Sequence, residues 1–423
     1  MKAIHLKSPK KLLSALARFG QLLMFLLLLN GCQAIKINKL MRSGEVDHDQ
    51  FNITIPFELR AGVPMVQAEV NGMKGWFLFD SGAPNVISAE FAAKLKLKQK
   101  ASAGVRDSGG NFKSSQTYVN LEDINIGGVH FRNTGAIVQD LRSSDIFKCL
   151  DFDGIIGANL MRQAVWKLDY AKNTISFSDD IANMKPDSSY QAVPFSTLLS
   201  GTPVVTLELS GIPVPGLLFD TGSNKSFSLP LRSLRQLKDS LPAETTWELG
   251  ATSYGVGGKG LADTIFYTTV DTLQLGGHRL TQIVVAFDEH AYTIGNEFFQ
   301  HYDVILDWNS RKIYLREVTA YANDALVTHG FGVDLVEGGL QVGSIYHGSQ
   351  AEGQLQIGDQ ILQIDEFRFD PEPDGLICEL VNSREIKLRD RESIDIKVKR
   401  GEETLDFNLD QLQLLPINQK LKP

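Results

Sequence analysis

Apolar and polar residues alternate along most of the chain with a period of two, the spacing of half-buried strands. After a polar spacer at about 36–50, Phe51-Asn52-Ile53-Thr54-Ile55 and Met65-Val66-Gln67-Ala68-Glu69-Val70 are the first such runs. Asn71-Gly72 is a two-residue hairpin signal, and it returns the chain as Trp76-Phe77-Leu78-Phe79 into Asp80. A brief helix is predicted over Ala89 to Leu97, with Ser88 as its N-cap. A Gly-rich turn at Asp107 to Asn111, a strand at Tyr118 to Leu121 and a hairpin around Gly127-Gly128 come next. Asp153-Gly154-Ile155-Ile156-Gly157, a short helical piece, and strands near Trp166-Lys167-Leu168 and Thr174 to Phe177 complete this half.

The same order then repeats. Val204 to Leu209 reads as a strand, Ser210-Gly211 as a turn, and Gly216-Leu217-Leu218-Phe219 as the strand into Asp220. Ser228 to Leu237 is helix-like. Val256-Gly257-Gly258-Lys259 answers Ser108-Gly109-Gly110-Asn111, and Leu275-Gly276-Gly277-His278 answers Ile126-Gly127-Gly128-Val129. Tyr292-Thr293-Ile294-Gly295 answers Gly154 to Gly157, and closing strands recur at Asp303 to Asp307 and Lys312 to Leu315. Asp80 lies 77 residues before Gly157, and Asp220 lies 75 before Gly295. This is a duplication of two β-rich units rather than a solenoid, joined by a polar, Pro-containing stretch at about 178–194. From about 325 the character changes. Gly330 to Leu335 and Leu340 to Ile345 read as strands, a helix is predicted over Pro373 to Val381, strands over Ile394 to Val398 and Thr404 to Leu409, and a loose tail after 410.

The chemistry lies at the two matching strand ends, FLFDSG ending at Gly82 and LLFDTG ending at Gly222. Hydrolysis of a peptide bond without a covalent intermediate needs one base to activate water and one acid to protonate the tetrahedral intermediate. Two carboxylates about 3 Å apart cannot both ionise, so a pair sharing one proton supplies both roles. Gly82 and Gly222 permit close approach of two backbones, and the Ser81 and Thr221 hydroxyls can hydrogen-bond across. A lone Asp-Ser/Thr-Gly usually marks only a turn. Two copies at equivalent places in duplicated units, each followed by an apolar-apolar-Gly, argue for a site.

Across about 50–318 the chain resembles the retropepsin-like aspartic proteases, through FLFDSGAPNVIS, LLFDTGSNKSFS, DGIIGANL and YTIGNEFF. The resemblance implies two β-barrel lobes related by a pseudo-twofold, with Asp80 and Asp220 as the catalytic pair. Ser81, Gly82, Thr221 and Gly222 would support the catalytic loops. It also implies that the late apolar-apolar-Gly packs behind each catalytic loop, that 106–113 and 253–260 are flaps, and that one chain suffices. Lys225, if it points inward, would lower the pKa of the pair. Gly255 to Gly260 formally matches a G-x-G-x-x-G nucleotide loop but lacks the strand–loop–helix setting, so a flap or plain hairpin is the better reading.

The segment at about 325–410 resembles a PDZ domain of the bacterial protease-associated kind, through GFGVDL and AEGQLQIGDQILQIDE. That resemblance implies a small α+β unit in which Phe331, Gly332 and Val333 hold the carboxylate of a C-terminal peptide ligand; the competing reading is a cap of PDZ shape with a blocked groove. At the other end, a basic front with Lys2, Lys7, Lys10, Lys11 and Arg18 precedes an apolar run over Gln21 to Leu29, too short for a comfortable membrane span but suited to a signal peptide. It ends in Leu29-Asn30-Gly31-Cys32, which resembles the lipobox of bacterial lipoproteins and implies lipidation of Cys32; with Gln33 next, it implies an outer-membrane lipoprotein facing the periplasm.

Composition adds exclusions. A net charge of −8, spread along the chain, argues against a nucleic-acid partner, and 43% apolar residues are enough for sizeable cores. The eight His lack ligand spacing, so no metal or other cofactor is expected. Cys149 and Cys378 fall in different units, and a bridge between them is not expected. The chain therefore reads as mainly β: signal peptide 1–32, linker 33–50, protease lobes 51–183 and 184–320, PDZ domain 325–410 and tail 411–423. The expected function is an aspartic endopeptidase acting on polypeptide substrates at the cell envelope, anchored to the membrane by lipid. The alternative is a catalytically inactive, peptide-binding scaffold.

Overall fold

The computed structural model describes residues 33–106, 112–237, 245–251, 254–255, 258–260, 262–290, 292–321, 326–337, 339–370, 375–383 and 390–415. It is mainly β. The first six strands of interest close on themselves. Val63–Val70 pairs antiparallel with Met73–Asp80 across a turn in which Asn71 and Gly72 both take positive φ, the backbone that made Asn-Gly a hairpin signal. Met73–Asp80 then pairs parallel with Gly154–Gly157, and Gly154–Gly157 antiparallel with Val86–Ser88. Val86–Ser88 lies parallel to Val129–Gln139, which pairs with Phe112–Ile126, and that strand returns to Val63–Val70. The circuit is a closed six-stranded barrel.

A second circuit has the same order and the same strand directions. Pro203–Leu209 pairs with Ile212–Phe219, which runs parallel to Thr293–Ile294. Thr293–Ile294 is antiparallel to Phe227–Pro230, which is parallel to His278–Asp288. Asp263–Leu275 pairs with His278–Asp288 and closes back onto Pro203–Leu209. The closing hairpins of both halves leave their circuits and build one shared six-stranded sheet, in which Val165–Asp169 pairs antiparallel with Tyr302–Asp307. One face of these strands puts Trp166, Phe177, Val304 and Leu306 in one apolar core continuous with both barrels, and the other face buries Val165 and Ile305 in a smaller one.

Residues 326–415 have their own core, around Val342, Ile361, Phe369, Ile396 and Val398. This unit is nonetheless joined to the second barrel. Its Gly339–Tyr346 strand pairs with Thr245–Ala251, and Trp247 stacks on His347 with ring centroids 3.7 Å apart.

Several expectations are corrected. The 33–50 spacer contains a helix over 33–41 and the strand Glu45–Val46. Ile37, Leu40 and Met41, at helical spacing, cover Ala101 and Tyr118, a short apolar face hidden among polar residues. The 178–194 link contributes Gln191–Pro194 to the shared sheet, against Lys312–Glu317. The tail is ordered as far as Leu412–Leu415, which pairs with Leu326–Thr328. Cys149 and Cys378 form a disulfide with Cα atoms 4.7 Å apart. The helix Asp145–Leu150 docks on the helix Leu376–Ser383, a contact between units that sequence spacing does not encode.

Candidate active site

Asp80 ends one buried strand and Asp220 follows its counterpart. Behind the first loop Gly157 pairs with Asp80; behind the second, Ile294 pairs with Phe219. The late glycines are required by proximity. A Cβ on Gly157 would lie 2.3 Å from the Pro84 carbonyl carbon, and one on Gly295 would lie 2.5 Å from the Lys225 carbonyl oxygen. Each strand passes behind its loop with backbone against backbone, and no side chain fits between.

The two loops interlock by reciprocal hydrogen bonds. Ser81 N–H donates to Thr221 Oγ1 at 2.9 Å, and Thr221 N–H to Ser81 Oγ at 3.1 Å. In turn the Ser81 hydroxyl donates to Phe219 O at 2.6 Å and the Thr221 hydroxyl to Phe79 O at 2.8 Å. Both side chains are fully buried, so every donor and acceptor in the exchange is used and none is left desolvated. The crossing brings each carboxylate against the glycine of the other triplet: the space beside Gly82 is filled by the Asp220 carboxyl and that beside Gly222 by the Asp80 carboxyl.

Asp80 Oδ1 accepts from Gly82 N–H at 2.7 Å and Ala83 N–H at 3.0 Å, and Asp220 Oδ1 accepts from Gly222 N–H at 2.8 Å. Burial holds the Asp80 pKa well above the usual carboxylate range, and the adjacent Asp220 carboxylate pushes it further. Burial also raises Asp220, opposed by hydrogen bonds from Asp80 and from the backbone of Gly222 and Ser223. Two carboxyls buried against each other disfavour ionisation of both, which favours one proton shared by the pair rather than owned by either residue. One carboxylate is then a base and its neighbour an acid.

Residues 66–160 match the model of an aspartyl protease family. The match contains Asp80, Ser81, Gly82 and the strand ending at Gly157. No curated protein matches the chain. The family match suggests a protease, and the second triplet lies outside it.

Other expected residues are placed as follows. Lys225 lines a cavity of about 260 Å³ together with Glu248, Tyr267, Gly332 and Val333, against the C-terminal unit; burial, the partner carboxyl and backbone N–H groups set the acidity of the pair. Phe331 and Gly332 begin the strand Phe331–Val336, paired with Ile345 and Ser344, and Val333 is exposed. Cys32 lies outside the described residues, as do 107–111, 253 and 256–257 of the two expected flaps. Among the described residues no group of three or more His, Cys, Asp or Glu could hold a metal ion.

Sequence reasoning missed the amides that brace the loops. Asn85 N–H donates to Asn159 Oδ1 at 2.6 Å, Asn159 Nδ2 to Gly135 O at 2.8 Å, and Gly157 N–H to Asn85 Oδ1 at 2.7 Å. In the second loop Asn296 Nδ2 donates to Thr221 O at 2.6 Å and Ser223 O at 2.9 Å. The Tyr170 hydroxyl, from the first half, donates to Asn296 Oδ1 at 2.5 Å. Asn159 and Asn296 follow their late glycines at offsets of two and one, a signal available in the sequence; Tyr170 gives none.

Proposed function

We propose that the chain is a retropepsin-like aspartic endopeptidase whose two lobes, 51–183 and 184–320, each supply one catalytic Asp. The observation that carries this is the reciprocal seating of Asp80 on Gly222 and Asp220 on Gly82, which buries the two carboxyls against each other. A water held between the carboxyls loses a proton to the ionised one as its oxygen attacks the scissile carbonyl carbon. The protonated carboxyl gives its proton to the carbonyl oxygen. On collapse of the tetrahedral intermediate the amine leaves with a proton from one carboxyl while a hydroxyl of the gem-diol returns its proton to the other, so the carboxylic acid product forms and the one-proton state is restored. Ser81, Thr221, Gly82 and Gly222 keep the pair in register and take no part in proton transfer.

For 325–410 we propose a PDZ-type unit. The strand Phe331–Val336 and the helix Leu376–Ser383, which would flank a peptide groove in such a unit, both meet the chain's own helix Asp145–Leu150, which is bonded to that unit through Cys149–Cys378. Asn382 Nδ2 donates to Cys149 O at 2.7 Å, and Ala61 N–H to Asn382 O at 3.1 Å. This favours a cap that ties the unit to the first lobe over a groove open to a C-terminal peptide. The N-terminal segment fits a lipidated Cys32 and a place on the periplasmic side of the outer membrane, with envelope polypeptides as substrates.

The test is cleavage of a fluorogenic peptide library between pH 3 and 8 by protein starting at Gln33, beside Asp80→Asn and Asp220→Asn. Loss of cleavage in both variants supports the shared-proton mechanism. A folded wild-type protein that cleaves nothing at any pH overturns it in favour of a peptide-binding scaffold.

A further inference from the structure

Tyr170 and Trp308 hold equivalent places in the two halves. Tyr170 follows Leu168-Asp169 at the end of one closing strand, and Trp308 follows Leu306-Asp307 at the end of the other. These strands are paired antiparallel, Val165 opposite Asp307 and Asp169 opposite Asp303, so the two corners lie at opposite ends of the pair. The Tyr170 side chain leaves its own half, whereas Trp308 stays within its own and acts on Gly201, a segment that abuts the first half.

Tyr170, buried and edge-on to Phe57, reaches the second half and donates to Asn296 Oδ1. The Asn296 amide nitrogen donates to Thr221 O and Ser223 O, which flank Gly222. The carboxamide can present its nitrogen to those carbonyls only if its oxygen faces a donor, and the Tyr170 hydroxyl is that donor. Trp308 Nε1–H donates to Gly201 O at 2.7 Å. Gly201 sits against the Ala158 carbonyl of the first half, and the adjacent Thr202 hydroxyl donates to Gly82 O at 3.3 Å.

We infer that Tyr170 and Trp308 are reciprocal positioning residues, each setting the catalytic loop of the opposite half: Tyr170 the Asp220 loop through Asn296, and Trp308 the Asp80 loop through Gly201 and Thr202. The inference rests on the protease reading for its kinetic consequences. The geometry itself says that docking of the halves and alignment of the carboxyls are one event. Neither side chain touches the carboxyls, so their effect passes through the loop backbone. Inside that backbone a displacement well under 1 Å matters, because both carboxyls must face one water.

The test uses Tyr170→Phe and Trp308→Phe in otherwise unchanged protein. The first removes one oxygen and keeps the buried ring. Peptide cleavage and carbon-13 NMR titration of the Asp80 and Asp220 carboxyl carbons are both followed, with circular dichroism as the check on folding. For Tyr170→Phe the expected result is kcat lower by about 10- to 100-fold with KM within about twofold, and a displaced titration of the pair. Trp308→Phe is expected to act in the same sense. Were Tyr170→Phe to misfold, Trp308→Phe carries the test alone, and a normal pair titration and kcat in it overturn the proposal. A lower melting temperature with unchanged kcat and titration would make both residues merely structural. If the wild-type protein cleaves nothing, the titration still decides: displacement in the variants sustains the positioning role while the protease reading fails.

Discussion

Gly82 and Asp220, 138 residues apart in sequence, are so close that a methyl group on Gly82 would stand 2.4 Å from the Asp220 carboxyl carbon. The mirror contact joins Gly222 to Asp80 at the same distance. Each glycine is thus a seat for the other loop's acid, and its missing side chain is the volume that the acid occupies.

Gly82→Ala should therefore displace Asp220 rather than strain its own backbone. The expected cost is about 1–3 kcal/mol of stability, typical of overpacking, with peptide cleavage reduced at least about 100-fold. Thermal melts and initial rates check both. Near-normal turnover by a folded Gly82→Ala protein would show that the carboxyls need not sit this close.

Asp80 gives a pH prediction with a defined sign. Its folded pKa is raised, whereas an Asp in the unfolded chain titrates near about 3.9. A raised folded pKa contributes stability that is complete below the unfolded value and is lost as pH rises through the folded one. Asp80→Asn keeps an oxygen for Gly82 and Ala83 N–H but cannot ionise. Its melting temperature should match the wild type near pH 4 and exceed it increasingly toward pH 8, while cleavage is absent throughout. For the wild type, turnover should fall as pH rises through the upper titration of the pair. A melting difference independent of pH would refute the shared proton.

Ser81→Ala removes the acceptor of Thr221 N–H and the donor to Phe219 O in a fully buried place. Leaving buried groups unpaired costs about 1–3 kcal/mol. Thr221→Ser retains the hydroxyl and should behave nearly as wild type, whereas Thr221→Ala should resemble Ser81→Ala. Denaturant midpoints distinguish the three; equal midpoints would mean that water replaces the lost partners.

The disulfide ties chain positions 229 residues apart. A bridge closing a loop that long contributes on the order of 2–5 kcal/mol, chiefly by restricting the unfolded chain. Reduction, or Cys149→Ser with Cys378→Ser, should lower the melting temperature and make the Leu376–Ser383 helix more susceptible to limited proteolysis. Unchanged melting and digestion on reduction would remove the bridge as a tie between the units.

The strand read at Met65 to Val70, the Asn71-Gly72 turn, the Ser88 N-cap and the repeated late Gly motif all matched observed elements. These features act within a few residues of chain, so period and turn chemistry reveal them. The Ser81–Thr221 exchange was legible as well, because the triplets name their own partners. The 33–41 helix was missed because three apolar residues at helical spacing do not stand out in a polar run. The disulfide and the Gln191–Pro194 strand were missed because their partners lie more than 100 residues away.

Local pattern specified the strands, the two acid triplets and the likeness of the halves, since backbone periodicity and glycine demand are short-range properties. Which half braces which loop depended on the antiparallel pairing of Val165–Asp169 with Tyr302–Asp307, which throws Tyr170 and Trp308 to opposite ends. The raised pKa of the pair likewise came from assembly: an isolated Asp-Ser-Gly is an ordinary acid. Only burial beside a second carboxyl makes ionisation of both unfavourable.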